Sequence, residues 1–520
     1  MSNEIIKFYK NIENKFYSIT NLKNQILFSQ YFTSIEIASY MIRFSKKIKL
    51  KKKINILDPG AGLGIFAAVI CDLVIKQNSQ TEIFYECYEI DKDVIKYLDL
   101  NLTFFAEKMK ENGNKFSFKI NNCDFISSNT KFVIKNSKYI NNYGAFDIVI
   151  SNPPYGKIKE GKSFNEITKE KMIHRSNYYP LFMLIGSQLL KNKGEFIMIT
   201  PRSYCSGYYF KEFRQTFLKF IYPIAFHRFE SRIKIFEKHG ILQEVVIIYG
   251  LKGTDPVNNV LLYSSVGIPN GDNIKKTSLT LKDLITNDDN KNIRLPSINK
   301  DKNLLYLIDN LENKFDTLEL NIGNGPVVPF RVEKFLKNHK LTSTVPLIWM
   351  HNINLDKTIK NTTKNGFTKI KPPWITNNSQ TSSILKDNKD YIMIKRFVNK
   401  ESNQILESAF YPKSNKYDKV GIENHVNFVC SSNGKNLKKS FVTGLIGILN
   451  SLLYNRYFSI SNGTTQVNVS WLKHLKFPAK MIISELGRYI IDNKLKTGDP
   501  RIDSYFCELI YVDVNEFLEF

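Results

Sequence analysis

The 520-residue chain predicts an α/β fold: an open, mostly parallel sheet with helices on both faces, followed by a second, mixed α/β domain. Three observations carry this reading. Apolar runs of strand length alternate with helical segments through the first half. The first run ends in a glycine-rich turn. The alternation is lost after residue 260, where Asn, Lys, Ser and Thr dominate. The expected domains are 1–265 and 266–520.

The elements follow in order. "INILDPGAGLG" (54–64) reads as a buried strand running into its turn, and "IFAAVICDLVIKQ" (65–77) has helical periodicity. "EIFYECYEID" (82–91) is a second strand and 92–109 a second helix. Strands three and four are "KFSFKINNCDF" (115–125) and "FDIVISNPPY" (146–155). A helix at 178–190 precedes a fifth strand, "GEFIMITPRSY" (194–204), and two late strands lie within 217–230 and 241–250. The polar stretch 272–294 reads as a linker or an elaborated surface. Beyond it come short strand-like pieces in "GPVVPF", "VPLIWMHNI", "DYIMIKRFV" and "HVNFVCSS", then a helix pair at 437–459.

Composition bounds the function. A chain this long exceeds one compact core, so about two domains are expected. It has no apolar run of about 18 residues to span a membrane. Its first residues, "MSNEIIKFYKNIENKF", carry charges throughout and lack the apolar centre of a secretory signal, so a cytoplasmic location is expected. The six cysteines stand singly, with no C-x-x-C pair, which argues against zinc and a redox dithiol. The formal net charge of +25 points to a polyanionic partner, although a Lys-, Asn- and Ile-rich composition can produce such a charge without one.

The motifs sit at strand ends. In "LDPGAGLG", Asp58, Gly60, Gly62 and Gly64 occupy the first strand–helix turn, where glycine lets a ligand approach the backbone. Such turns are also common as pure structure. Glu89, closing the second strand, adds a carboxylate that can bind ribose hydroxyls. No Gly-Lys-Ser/Thr follows, so an adenosyl cofactor without phosphates fits better than ATP. Asp124 can accept from an adenine amine while Phe125 packs on its ring; read alone, they are a surface Asp and a core Phe.

Strand four ends in Asn152-Pro153-Pro154-Tyr155. A turn would explain the prolines. The chemical explanation is sharper. A base or amide NH2 is a poor nucleophile because its lone pair is delocalised. An Asn side-chain oxygen and a prolyl carbonyl can accept its two hydrogens, which localises the lone pair and aims it. Tyr155 can stack on a planar substrate. His174, His227 and His239 are isolated and read as structural or solvent-exposed.

Together these pieces resemble the S-adenosylmethionine-dependent amino-group DNA methyltransferases, adenine-N6 type, gamma order. "FSQYFTSIEIASYM" (28–41), "LDPGAGLG", "YEID", "CDF" and "SNPPY" look like that family's successive motifs over 25–250. "GPVVPFR", "VPLIWMHNI", "IKRFVNKE" and "GTTQVNVSWLKHLKFP" resemble the C-terminal target-recognition domain of type II restriction–modification methylases. The resemblance implies a Rossmann-like methyltransferase sheet and S-adenosyl-L-methionine as cofactor, with S-adenosyl-L-homocysteine as product. It puts Tyr31, Thr33, Asp58, Gly60, Glu89, Ile90, Asp124 and Phe125 at the cofactor, with Thr33, Asp58 and Gly60 by its methionine part. Asn152 and Pro153, with Pro154, would hold the target amine, without metal or general base. An adenine flipped from duplex DNA would stack between Tyr155 and Phe236, with Phe229 as the rival for the second place. Lys395, Arg396, Thr465, Gln466 and the stretch 434–439 would contact DNA. A monomer is expected, dimers staying open, with a cognate restriction endonuclease acting separately. Three rivals are methyltransferases of protein glutamine or RNA guanine, a fusion that also cuts DNA, and a catalytically dead DNA-binding scaffold.

Overall fold

The structure is a computed structural model that describes residues 4–19, 33–78, 80–134, 144–158, 173–174, 176–230, 244–253, 258–271, 273–353, 371–397, 404–462 and 466–518. The chain divides into two compact units, Met1–Ile298 and Asn299–Phe520. The division falls beyond the expected boundary at 265.

In the first unit, helices α1 (Glu4–Ile19) and α2 (Ile35–Ile42) precede strand β1 (Lys53–Pro59). Then come α3 (Ile65–Gln77), β2 (Glu82–Tyr88), α4 (Lys92–Glu111), β3 (Lys115–Asn121), β4 (Phe146–Ser151), α5 (Tyr178–Leu189) and β5 (Leu190–Pro201). The unit continues with α6 (Lys211–Phe220), β6 (Ile221–Phe229), β7 (Val245–Lys252), β8 (Asn259–Ser265) and β9 (Lys275–Thr280). Among the described residues these strands form one nine-stranded sheet in the order β3-β2-β1-β4-β5-β7-β6-β8-β9. Strands β1 to β5 are parallel, and β7 runs antiparallel between β5 and β6.

Every residue of β4 is buried, as a parallel strand covered on both faces requires. One apolar core joins the sheet to α1 through α4; a second, on the other face, joins it to α5 and α6. Because β2 and β3 lie to one side of β1 while β4 and β5 lie to the other, the connections part between β1 and β4. A crevice opens there at the carboxyl ends of the strands, the usual ligand position in such sheets.

Three expectations need correction. The stretch 272–294 is no linker: it contributes β9, which pairs with β8, and it is pinned by Leu279, Leu284 and Ile293, each no more than 1 % exposed. Its polar composition hid these widely spaced anchors. The third strand stops at Asn121, because Asp124 caps a short helix, Phe125–Ser128, by accepting from the Ser127 N–H at 2.6 Å. The fifth strand starts earlier and ends earlier than 194–204, giving way at Arg202 to a 3-10 turn.

Buried Arg214 of α6 ties the last segment to this unit. Its guanidinium donates to the carbonyls of Asn290 (2.7 Å), Tyr204 (2.9 Å) and Gly207 (2.8 Å). Burial pulls its pKa down to about 10.

The second unit contains α7 (Asn299–Asp309), β10 (Leu320–Asn324), β11 (Leu336–Lys337), β12 (Thr344–Ile348), β13 (Trp374–Thr376) and β14 (Lys386–Asp387). They are followed by β15 (Tyr391–Lys395), β16 (Ser408–Tyr411), β17 (Lys419–Ile422), β18 (Val426–Ser431), α8 (Lys439–Leu449), α9 (Leu452–Ser461), α10 (Lys480–Asp492) and α11 (Pro500–Leu509). One sheet has the order β10-β18-β15-β16 and is antiparallel; the other, β11-β13-β12-β17-β14, is mixed. In the piece "GPVVPF", Val327 makes an isolated parallel bridge with Glu423, and Pro329 opens a 3-10 turn that runs to Arg331. Helices α8 and α10 meet through glycine: a Cβ at Gly444 would lie 1.8 Å from the Ile483 carbonyl oxygen, and one at Gly487 1.7 Å from that of Ser440. Buried Asp301 of α7 takes a two-pronged contact from Arg456 of α9 at 2.7 and 2.8 Å.

Removing the Arg214 side chain takes its three hydrogen bonds from the carbonyls of Asn290, Tyr204 and Gly207. The Arg214→Ala chain is expected to lose about 3 kcal/mol of stability in the first unit, and Arg214→Lys less, as read by calorimetric melting. An unchanged melting temperature for Arg214→Ala would show that this anchor is dispensable.

Candidate functional site

The glycine turn is built from three left-handed residues, Gly60 (φ 77°), Gly62 (φ 56°) and Gly64 (φ 82°). Side chains there would be strained, and at Gly64 a Cβ would also press on Leu98 at 2.9 Å. The turn is held from β2. The Tyr88 carbonyl accepts from the Gly60 and Ala61 N–H groups at 2.9 and 3.0 Å. Glu89, buried, takes the Gly62 N–H on Oε2 (3.0 Å) and those of Ile90 and Asp91 on Oε1 (2.8 and 3.0 Å). Burial raises its pKa against the pull of these donors. Glu89 therefore knits the turn together, a role that its position in sequence did not reveal.

Asp58 is fully buried at the end of β1. The Tyr85 hydroxyl donates to its Oδ2, while Oδ1 has no hydrogen-bond partner among the described residues. Burial pushes the carboxyl up to about 7, with Glu89 adding to the rise and Tyr85 opposing it. A buried carboxylate oxygen without a donor beside a turn of three glycines is a place for a ligand N–H. These residues fit an adenosyl amino acid. Phe125 is only 2 % exposed, packed edge-on to Tyr88 (4.9 Å between centroids) and against Phe182 (5.0 Å). Ile90, 49 % exposed, offers the open apolar surface at this edge. Tyr31 lies outside the described residues.

The Asn-Pro-Pro-Tyr loop faces the glycine turn across the crevice. Ser151 donates to the Pro59 carbonyl at 2.5 Å, which clasps the ends of β4 and β1. A Cβ on Gly60 would meet Phe182 at 3.6 Å and Pro154 at 3.9 Å, so the two loops are in near contact. Asn152 Nδ2 donates to the hydroxyl of Thr33, just ahead of α2, at 3.0 Å. Tyr155 is buried, its ring edge-on to Tyr179 and its hydroxyl donating to the Ile199 carbonyl at 3.4 Å. Asn177 braces the loop by donating to the Tyr155 carbonyl at 3.4 Å. Phe236 and His239 lie outside the described residues; Phe229 is a core residue.

The other two histidines are structural. His174 stacks on Phe210 and accepts from the Asn177 N–H at 3.2 Å, and burial lowers its pKa to about 4. His227 bridges Tyr40 of α2 (2.8 Å) and Ser265 of β8 (3.0 Å), and burial lowers it to about 3. Among the described residues, no group of three or more His, Cys, Asp or Glu could hold a metal, and no helix is long and apolar enough to cross a membrane.

In the second unit the expected DNA contacts are engaged within the protein. Lys395 is paired with Glu407 of the neighbouring strand region. Arg396 donates to the Asn424 carbonyl at 3.1 Å. With its amide oxygen turned to the guanidinium, Gln466 accepts from Nη2 at 2.8 Å and Nε at 3.0 Å. The Val467 N–H donates to the Arg396 carbonyl at 2.9 Å. Arg396 and Gln466, far apart in sequence, are thus brought together, and most of the five Arg396 donors are occupied. Thr465 lies outside the described residues, whereas Lys435, Lys438 and Lys439 are exposed.

Comparison with known proteins agrees with this geometry. The Eco57I restriction-modification methylase family matches residues 36–236. The type II methyltransferase M.BsuBI of Bacillus subtilis is 31% identical over 503 residues, 95% of this chain and 96% of the relative. The type II methyltransferase M.PstI of Providencia stuartii is 29% identical over 440 residues, 84% of each chain. In fold, the chain resembles the DrdV–DNA complex solved by cryo-electron microscopy, with a TM-score of 0.51 at 12% identity, over 94% of this chain and 59% of that one. A glycine turn, an acid at the end of β2 and an Asn-Pro-Pro-Tyr loop at one crevice, in a chain so like these two relatives from end to end, make it a member of the type II methyltransferases, the S-adenosylmethionine-dependent modification methylases of restriction–modification systems.

Proposed function

We propose that the chain methylates N6 of an adenine flipped out of duplex DNA, with the first unit carrying the chemistry and the second reading the target. The observation that carries this is the loop after β4. It brings the Pro154 ring within 3.9 Å of a Cβ on Gly60, at the glycine turn, and holds the Asn152 amide on Thr33 at 3.0 Å. S-adenosylmethionine supplies an electrophilic methyl group on a sulfonium.

The residues do the rest. Asn152 Oδ1 and the Pro153 carbonyl accept the two hydrogens of the adenine amine, so its lone pair leaves the ring system and points at the crevice. Pro154 packs against the turn. Tyr155, whose ring is fixed by Tyr179 and whose hydroxyl is fixed on Ile199, gives the extruded base a rigid wall, with Phe236 as its opposite face. The amine becomes acidic only after it is methylated, so no side chain has to act as base beforehand. Gly60 gives the cofactor's methionine part room, Asp58 Oδ1 accepts from its ammonium, and Glu89 Oε2 keeps capacity for a ribose hydroxyl. Asp124 with Ile90 and Phe125 borders the adenine. In the second unit, Arg396 and Gln466 act as a coupled pair, and the exposed lysines of 434–439 take phosphates. The enzyme works as a monomer in the cytoplasm, and a separate endonuclease cuts unmodified sites.

Two outcomes test this. With tritiated S-adenosylmethionine and unmethylated duplex DNA, label accumulates in N6-methyladenine, and Asn152→Ala lowers the rate by about 100-fold or more. Label in cytosine, RNA or protein would sink the adenine assignment. The second concerns pH. Free Asp58 titrates near 7 because burial disfavours its charge, so at lower pH a cationic amine must displace a proton. Affinity for S-adenosylhomocysteine should therefore fall as pH drops below about 7, by about tenfold per unit, with proton release seen by calorimetry in buffers of different ionisation enthalpy. An affinity that is flat across this range, or equally pH-dependent in Asp58→Asn, would count against the contact.

A further inference from the structure

We infer that Thr33 is a positioning residue for catalysis, setting which end of the Asn152 amide faces the target amine. The inference rests on the reading of Asn152 given above and changes the part expected of Thr33, a cofactor contact. The observation is direct. Asn152 Nδ2 donates to Thr33 Oγ1 at 3.0 Å, and Thr33 is only 3 % exposed.

The two ends of an amide are close in shape and opposite in hydrogen bonding. Turned one way, Asn152 presents its oxygen to an incoming NH2 and accepts. Turned the other way, it presents its own NH2, donor against donor, and the target lone pair is no longer drawn out. Packing alone distinguishes the two ends poorly. A hydroxyl can also donate, so the end is set by the bond in place: Thr33 accepts from Nδ2, which leaves the amide oxygen on the side away from Thr33. Valine, of nearly the same shape, cannot accept.

Thr33 is itself firmly held. It directly precedes Ser34, the N-cap of α2, whose hydroxyl accepts from the Ile37 N–H at 3.3 Å. Helix α2 is bound to the sheet by buried Ile37, Ala38 and Met41 and by the Tyr40 hydroxyl on His227. The acceptor is thus fixed to the same core as the loop that it orients. Signals 119 residues apart in sequence meet in one hydrogen bond.

The test uses the full chain, with unmethylated duplex DNA and tritiated S-adenosylmethionine for turnover and calorimetry with S-adenosylhomocysteine for binding. Thr33→Val is expected to lower kcat by at least about tenfold with the binding constant unchanged within threefold, while Thr33→Ser keeps kcat within about threefold. If Thr33→Val keeps wild-type kcat, or if Thr33→Ser falls as far as Thr33→Val, the inference is overturned. It is also overturned if the binding constant weakens in step with kcat, because Thr33 then serves the cofactor. Asn152→Ala separates the two levels. If its turnover survives, the reading of Asn152 fails and takes this inference with it. If its turnover is lost but that of Thr33→Val is kept, only the role of Thr33 fails.

Discussion

Side-by-side parallel pairing of β1 with β4 is the constraint on which the site depends. The two strands pair in register at Ile56–Ile148 and Leu57–Val149, and both are buried where they meet. Their carboxyl ends therefore emerge together, and the chain leaves them in opposite directions. The glycine turn and the Asn-Pro-Pro-Tyr loop face each other for that reason. The Ser151 hydroxyl on the Pro59 carbonyl fixes the distance between them. Each loop is braced by groups from elsewhere: Tyr88 and Glu89 for the first, Thr33 and Asn177 for the second.

Much of the first unit was legible in the sequence because its strands are continuous apolar runs and its helices have a clear face. "FDIVIS" can hardly be anything but a covered strand, and the glycines of "GAGLG" mark a turn by conformational need. The segment 272–294 was not legible: Leu279, Leu284 and Ile293 are single anchors among polar residues, and their burial depends on partners far away. The same limit applies to charge. Lys395 and Arg396 looked like a phosphate-binding pair, but charge says nothing about pairing, and Glu407 and Gln466 engage them. Glu89 was legible as an acid at the right place, though its three backbone partners were not.

In the second unit, tight helix contact substitutes for a large sheet. Gly444 and Gly487 let α8 and α10 approach until backbone touches backbone, and the Arg456–Asp301 pair joins α9 to α7. Around Arg396, polar groups satisfy one another across β10, the turn after β17 and the strand-like piece at Gln466. Such a network fixes the Arg396 guanidinium against the backbone and side chains around it.

The wiring of the glycine turn also decides what the crevice refuses. Phosphate-binding turns leave their N–H groups pointing outward for an anion. Here the N–H groups of Gly60 and Ala61 are taken by Tyr88, that of Gly62 by Glu89 and that of Gly64 by Ala61. Two carboxyl groups, Asp58 and Glu89, stand behind them. A diphosphate placed against these four N–H groups would find none of them free and would meet two carboxyl groups. The wiring thus opposes a phosphate at these four amides, the group that dinucleotides and nucleoside triphosphates carry beside the same adenosine.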